Sequence, residues 1–384
     1  MSFIDISNFV NVSVSSPPAG LASYAVNNLA IFTKEAPVNG AITASAPGVY
    51  KSPSDVLTDW GAGSEVYAMA NLIFGQSPNI LDGDGQLVIF PMQSGDTLDV
   101  NIPVAIKIVF FGGALYAGYA PADSELLLAA TACESIRVKL FVSSYLTSAL
   151  TTTTGLFWKI QAAQEHHARC LLYTQGATAT LARAMAAAYA GRALSVDFTG
   201  VNTTASMHGK TLTGILPDQG INQATLNTCE TLGVDTYVSV GGGAQYVGKV
   251  FSTGGNDFFD NVYNLDWLVF ALQVAGFNAI TTIGTKIPQT EPGMAILKGA
   301  YIGVLQEAVA NLFVAPGVWN SSELFGNPAD LRRNILNVGY YIFSQPINLQ
   351  SQADRVARKA PLIQIAIKYS GAIHSSNVVV SVNP

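Results

Sequence analysis

The chain opens on a period of two: Val10, Val12 and Val14 alternate with Asn11, Ser13 and Ser15 until Pro17 and Pro18 break the pattern. Such alternation predicts a short strand, and paired prolines cannot continue a ladder, so the strand is held apart from what begins near Leu21. Residues 29–32 and 87–90 predict further strands, Ser52-Pro53-Ser54-Asp55 a helix start, residues 64–74 a second helix and residues 78–85 a turn region. Strands then alternate with helices up to residue 240. Residues 137–143, 168–173, 194–198 and 235–240 read as extended, and 156–164, 178–190 and 223–232 as helical, with Gly191 and Gly233 as helix stops. Beyond Gly254 helices dominate. Val262, Leu265, Val269 and Leu272 share one helical face that Gly276 is expected to close, while Leu297, Tyr301, Val304 and Ala308 mark a helix over residues 293–311. Residues 340–343 and 362–368 predict strands around a short charged helix at 350–359. A last valine-rich strand is predicted over 377–382, carrying Val378, Val379, Val380 and Val382.

Alternating βαβ units point to a mixed α/β fold with a largely parallel sheet. The longest apolar stretch, residues 108–120, is too short to span a bilayer and reads as a strand running into a glycine-rich loop. At 384 residues the chain is long enough for two or three domains. Only 11% of its residues are charged, against about 25% in ordinary soluble domains. So sparse a charged surface implies that copies or partners cover much of it. The net charge of -6 lacks the electrostatic footprint of a nucleic-acid binder. Cys133, Cys170 and Cys229 are odd in number and far apart, which predicts buried free thiols, not a disulfide framework or a zinc site. The opening Met1-Ser2-Phe3-Ile4-Asp5 lacks the basic region and following apolar stretch of a secretory signal, so none is expected.

Catalytic motifs fail in detail. Residues 243–249 keep the glycine and lysine spacing of a phosphate-binding loop, but Val250 replaces the magnesium-binding Ser or Thr and no helix pattern follows. Asp82-Gly-Asp84-Gly85 starts like a calcium loop and then departs from it, so a tight turn is expected. His166, His167 and Cys170 read as a structural polar cluster, and His208 and His374 as isolated. Nothing in the pattern calls for a cofactor or a metal. The two valine strands are a different kind of candidate, because unpaired strand edges recruit other strands.

Several segments resemble the contractile bacteriophage tail sheath family. They are Val12-Ser-Val-Ser-Ser-Pro-Pro-Ala-Gly20, Asn256-Asp-Phe-Phe-Asp-Asn-Val-Tyr-Asn-Leu265 and Lys286-Ile-Pro-Gln-Thr-Glu-Pro-Gly293, then Ser351-Gln-Ala-Asp354 with Ala360-Pro-Leu-Ile-Gln-Ile-Ala-Ile367, and Gly371-Ala-Ile-His-Ser-Ser-Asn377. The resemblance implies a non-enzymatic subunit with a sheath-like core, an inserted outer domain and extended terminal arms. The corresponding division is an N-terminal arm (1–20), the first part of the α/β region (21–91), a middle region partly facing outward (92–240), a tube-facing C-terminal core (241–370) and a C-terminal arm strand (371–384). Implied partners are copies of itself in hexameric rings, the tail tube protein, and baseplate and tail terminator proteins, without nucleic acid or membrane insertion. The inter-subunit strands would carry Val10, Val12, Val14, Val378, Val379, Val380 and Val382, and Arg355, Arg358 and Lys359 would face the tube. The competing readings are an α/β enzyme of unidentified activity and another structural component of a contractile injection system.

Overall fold

The computed structural model describes residues 24–240, 244–247 and 258–379. The predicted N-terminal strand, and Val380 and Val382, lie outside them. Through residue 247 the elements run β1 (Leu29–Thr33), β2 (Gly48–Tyr50), α1 (Pro53–Trp60), α2 (Glu65–Phe74), β3 (Leu87–Pro91), α3 (Leu98–Ala105), β4 (Gly113–Ala117), α4 (Asp123–Ile136), β5 (Lys139–Ser144), α5 (Leu156–Ala162), β6 (Ala168–Leu172), α6 (Ala179–Ala193), α7 (Gln223–Leu232), β7 (Asp235–Val240) and β8 (Ala244–Val247). Their strands form one sheet in the order β2-β3-β1-β4-β5-β6-β7-β8. Neighbours from β3 to β7 are parallel, whereas β2 and β8 pair antiparallel at the two edges.

Successive side chains of each strand enter opposite cores. Leu29, Ile31, Leu87, Ile89 and Phe141 pack with α1, α2 and α6 on one face; Ala30, Phe32, Val88, Phe90, Leu140 and Val142 pack with α3, α4, α5 and α7 on the other. Covering on both faces is why these strands appear in the sequence as continuous apolar runs.

After the sheet come α8 (Phe259–Thr281), α9 (Glu291–Ala310), α10 (Pro328–Val338), β9 (Tyr340–Ser344), α11 (Gln352–Val356) and β10 (Ile363–Ile367). Phe259, Tyr263, Trp267 and Leu268 of α8, with Val304, Leu305 and Ala308 of α9, join the first core. The helical pair therefore seals one face of the large sheet. β9 and β10 form a separate antiparallel pair, from Ile363 opposite Ser344 to Ile367 opposite Tyr340, over a small core of Leu331, Ile335 and Ala366.

Several expectations change. Residues 194–198 are not a strand: Leu194 caps the end of α6, and the Asn27 side-chain amide donates to the carbonyls of Leu194 and Val196, both at 2.8 Å, which satisfies them without a ladder. Gly191 lies inside α6, where a Cβ would come within 2.7 Å of the Ile73 backbone, so glycine there permits close packing on α2. Gly276 likewise sits within α8, against the Tyr301 ring. The buried stripe of α8 runs through Val262, Tyr263, Asp266, Trp267 and Val274, with Leu265, Val269 and Leu272 only half-buried. In the 108–120 stretch the glycines open the strand, since Gly112 and Gly113 lead into β4. Three helices escaped the pattern: α3, which contains Pro103, α4 and α10. Within the phosphate-loop-like segment, Ala244–Val247 is strand β8, and the flanking residues 243 and 248–250 lie outside the described residues. Residues 377–379 belong to no strand among the described residues.

Candidate self-assembly surface

The C-terminal helices are fastened to the sheet through a buried carboxylate. Asp266 of α8, 1% exposed, accepts from Lys139 Nζ, from Arg137 Nη1 at 2.9 Å and from His167 Nε2 at 2.9 Å. Burial alone would raise the Asp266 pKa, but Lys139 and His167 outweigh it and hold the carboxyl well below the usual carboxylate range. Burial opposes charging of His167 too, yet its hydrogen bonds to Asp266 and to Glu134, at 2.8 Å, raise its pKa above the ordinary value. The predicted polar cluster around His167 is this network. Burial would raise the Glu134 pKa, but His167 and, more weakly, the charge of His166 lower it, while Cys170 is buried in the second core. A second buried pair, Arg169 with Asp235, joins β6 to β7 and receives the Tyr189 hydroxyl.

The order of the large sheet places a topological switch between β1 and β4, the position where doubly wound enzymes bind ligands at strand carboxyl ends. Here the chain fills that position itself. Glu35, just past β1, accepts from the backbone N–H groups of Glu65 at 2.9 Å and Val66 at 3.1 Å, at the N-terminus of α2. A bound phosphate would need those donors. Glu65 in turn pairs with Arg183 at 2.6 and 2.9 Å and accepts from Gly118 N at 3.0 Å. These contacts make a closed structural network of charges.

Among the described residues the small sheet is left open. Lys368 N donates to Gly339 O at 2.9 Å, which fixes the phase of the β9–β10 ladder. In an antiparallel pair every second residue faces outward, so the N–H and C=O groups of Ile363, Ile365 and Ile367 on one side, and of Tyr340, Ile342 and Ser344 on the other, point away from the ladder. No further backbone hydrogen bond reaches them among the described residues. In the C-terminal segment, Val378 and Val379 are 80% and 90% exposed.

Arg355, Arg358 and Lys359 are all exposed, on and just beyond α11. The helix covers only five residues of the predicted charged stretch, and Leu349, Val356 and Leu362 around it are also exposed. The surface there is thus mixed apolar and cationic. Gln289 and Gln350 both donate to the Lys359 carbonyl, at 3.1 and 2.8 Å, and so tie this segment to the loop between α8 and α9. His208 and His374, read as isolated, stack on one another with ring centroids 4.4 Å apart.

Residues 259–382 match the family model described as E217 tail sheath protein gp31-like, C-terminal domain. The C-terminal third of the chain is similar to tail sheath proteins. The fold of the chain as a whole is similar to those of two solved structures. The protein superposes on a chain of the anti-feeding prophage baseplate, solved by cryo-EM with 6-fold symmetrisation, with a TM-score of 0.64 and 11% identity over 97% of this chain and 98% of that one. It also superposes on the anti-feeding prophage helical sheath in the contracted state, with a TM-score of 0.62 and 11% identity over 100% and 98%. No curated protein sequence matches it. The mixed α/β fold with a largely parallel sheet expected from the sequence is the observed one, and it is similar to that of the solved contracted sheath.

Proposed function

We propose that the protein is the sheath subunit of a contractile phage tail or phage-like particle, polymerising as stacked hexameric rings around a tail tube. On a baseplate signal the lattice contracts and drives the tube through the host envelope, allowing genome ejection in a phage. The single observation that carries this reading is the combination, in the region that matches the sheath family model, of a two-stranded sheet whose outer edges are open among the described residues and an exposed valine segment. A strand from one copy can complete the edge of another, with main-chain hydrogen bonds for strength and alternate valines for register. The alternating valines at 10, 12 and 14 in the sequence would supply a second pairing segment. The subunit would assemble in the bacterial cytoplasm and reside in the virion, bounded by baseplate and tail terminator proteins.

Contraction needs two packings of one subunit separated by a barrier that a trigger removes. Both the doubly covered sheet and its seal of α8 and α9 suit a body that moves as a unit. The patch of Arg355, Arg358 and Lys359 is the proposed tube contact, because screened charges release more readily than apolar packing. Reversing all three to Glu is expected to abolish tube co-assembly while sheath-only polymers persist. The decisive test is negative-stain electron microscopy of the full-length protein beside a version lacking residues 1–16 and 377–384. Hollow striated cylinders from the full-length chain alone are expected; dispersed particles from both would overturn polymerisation through the arms.

A further inference from the structure

The segment leaving β10 is tied down before it becomes an arm. Ala315 N donates to Lys368 O and Ser370 N to Phe313 O, both at 3.0 Å. The Ser370 hydroxyl donates to Leu312 O, and Tyr369 stacks on Phe313 at 5.1 Å. Four residues later His374 makes a second attachment. Its ring lies on His208, takes the edge of Phe258 at 4.9 Å, and places Nε2 3.0 Å from Ser206 Oγ. The His208 Nε2 is 3.1 Å from the His374 carbonyl and donates to it. From Gly371 to Val379, His374 is the one residue that is not fully exposed.

Between the two attachments the chain bridges a polar cavity of about 40 Å³ walled by Ser206, Asp260, Asn261, Asn264 and residues 370–372. Asn264 is 3% exposed and its Oδ1 has no hydrogen-bond partner. Apolar packing does not hold the bridge down. Its hold comes from the anchors at either end. Two of the family-like motifs thereby acquire a physical role, since Phe258, Asp260, Asn261 and Asn264 come from one and His374 from the other.

We propose that His374 is a clamp that positions the C-terminal arm, which pivots after this residue and not at Gly371, where the sequence pattern placed the boundary. Residues 371–374 then travel with α8, and only the chain beyond them is free to seek a neighbour. The consequence for assembly rests on the sheath reading: rotation of a subunit reaches the arm through a rigid root, and the acceptor edge for Val382 must lie within about 29 Å of His374, eight extended residues away.

The test uses nitroxide labels on the full-length, dispersed subunit, at Ile373→Cys or Val378→Cys. Both sites are exposed, at 91% and 80%, and the native thiols of Cys133, Cys170 and Cys229 are fully buried, so the introduced thiol alone is labelled. The expected spectra show a slowed label at 373 and a freely rotating one at 378. Adding His374→Ala or, separately, His208→Ala should speed rotation at 373 at least threefold and leave 378 and the thermal midpoint unchanged. Identical spectra at the two sites, or a label at 373 that neither substitution moves, would overturn the clamp. These spectra do not depend on polymerisation, so absent cylinders would count against the sheath reading alone.

Discussion

The two sheets of this protein use strands of equal length in opposite circumstances. β1 is buried at all five positions, has a parallel partner on each edge and helices over both faces. β10, also five residues, has one buried position, one partner strand and an outward edge. Charge divides along a similar line: residues 1–258 hold 18 acidic and 11 basic side chains, and residues 259–384 hold 7 and 8. A strand enclosed on every side contributes its full burial to the fold of one chain. A two-stranded ribbon that rests on a three-residue core and, through Tyr340, Ile365 and Ile367, on the first core still leaves its outer backbone edges to whatever docks there.

The largest effect should come from the enclosed sheet. Phe141→Ala removes a fully buried ring that contacts Tyr189 and Phe259, and should cost about 3–5 kcal/mol in denaturant unfolding. Ile365→Ala on half-buried β10 should cost clearly less, and equal losses would break the comparison. Next is the joint between the two regions. Asp266→Asn leaves Lys139 buried without its counter-charge and should destabilise by about 3–5 kcal/mol. Replacing the pair together, Lys139→Met with Asp266→Leu, should recover part of that loss, and no recovery would show that the remaining partners, Arg137 and His167, dominate.

A smaller effect on folding, with a large one on assembly, is expected from Val379→Asp. Its unfolding free energy should stay within about 0.5 kcal/mol of wild type, because the side chain is exposed, while cylinders disappear from micrographs. Loss of stability in the dispersed subunit would mean that the arm packs on its own chain. The smallest effect is a pH slope. The raised pKa of His167 contributes stability that is fully present below its unfolded value, about 6.5, and fades as pH rises through the folded value. His167→Gln should therefore narrow its stability gap to wild type as pH increases from 6 upward. Asp266 has the opposite sign, with its contribution lost only in strong acid, and leaves that window unaffected.

Much of the fold was legible because burial writes itself locally. Ser52, Ser64 and Thr178 cap α1, α2 and α6, and Gly233 ends α7 in the left-handed conformation expected of it. The missed helices were partly legible as well: α10 starts on Asn327 and Pro328 and stops at Gly339, and α4 carries Asp123 and Glu125 in its first turn. Gly191 and Gly276 misled because a glycine that ends a helix and one that admits a neighbouring chain look alike in sequence. The Asp266 network joins residues 99 to 129 positions apart, and the two stacked histidines are 166 apart, so no spacing rule could find them.

The sequence by itself determined the alternation of strands and helices, the parallel character of the main sheet, the absence of an intact phosphate-binding motif and the presence of valine-rich segments suited to pairing. Tertiary structure decided that Glu35 closes the switch point, that Asp266 joins helix to sheet, that the edges of β9 and β10 are open among the described residues and that His374 holds the root of the arm. The division has one physical cause. Side-chain periodicity records whether a position is shielded from water, whereas the identity of the shielding group depends on segments brought together from far along the chain.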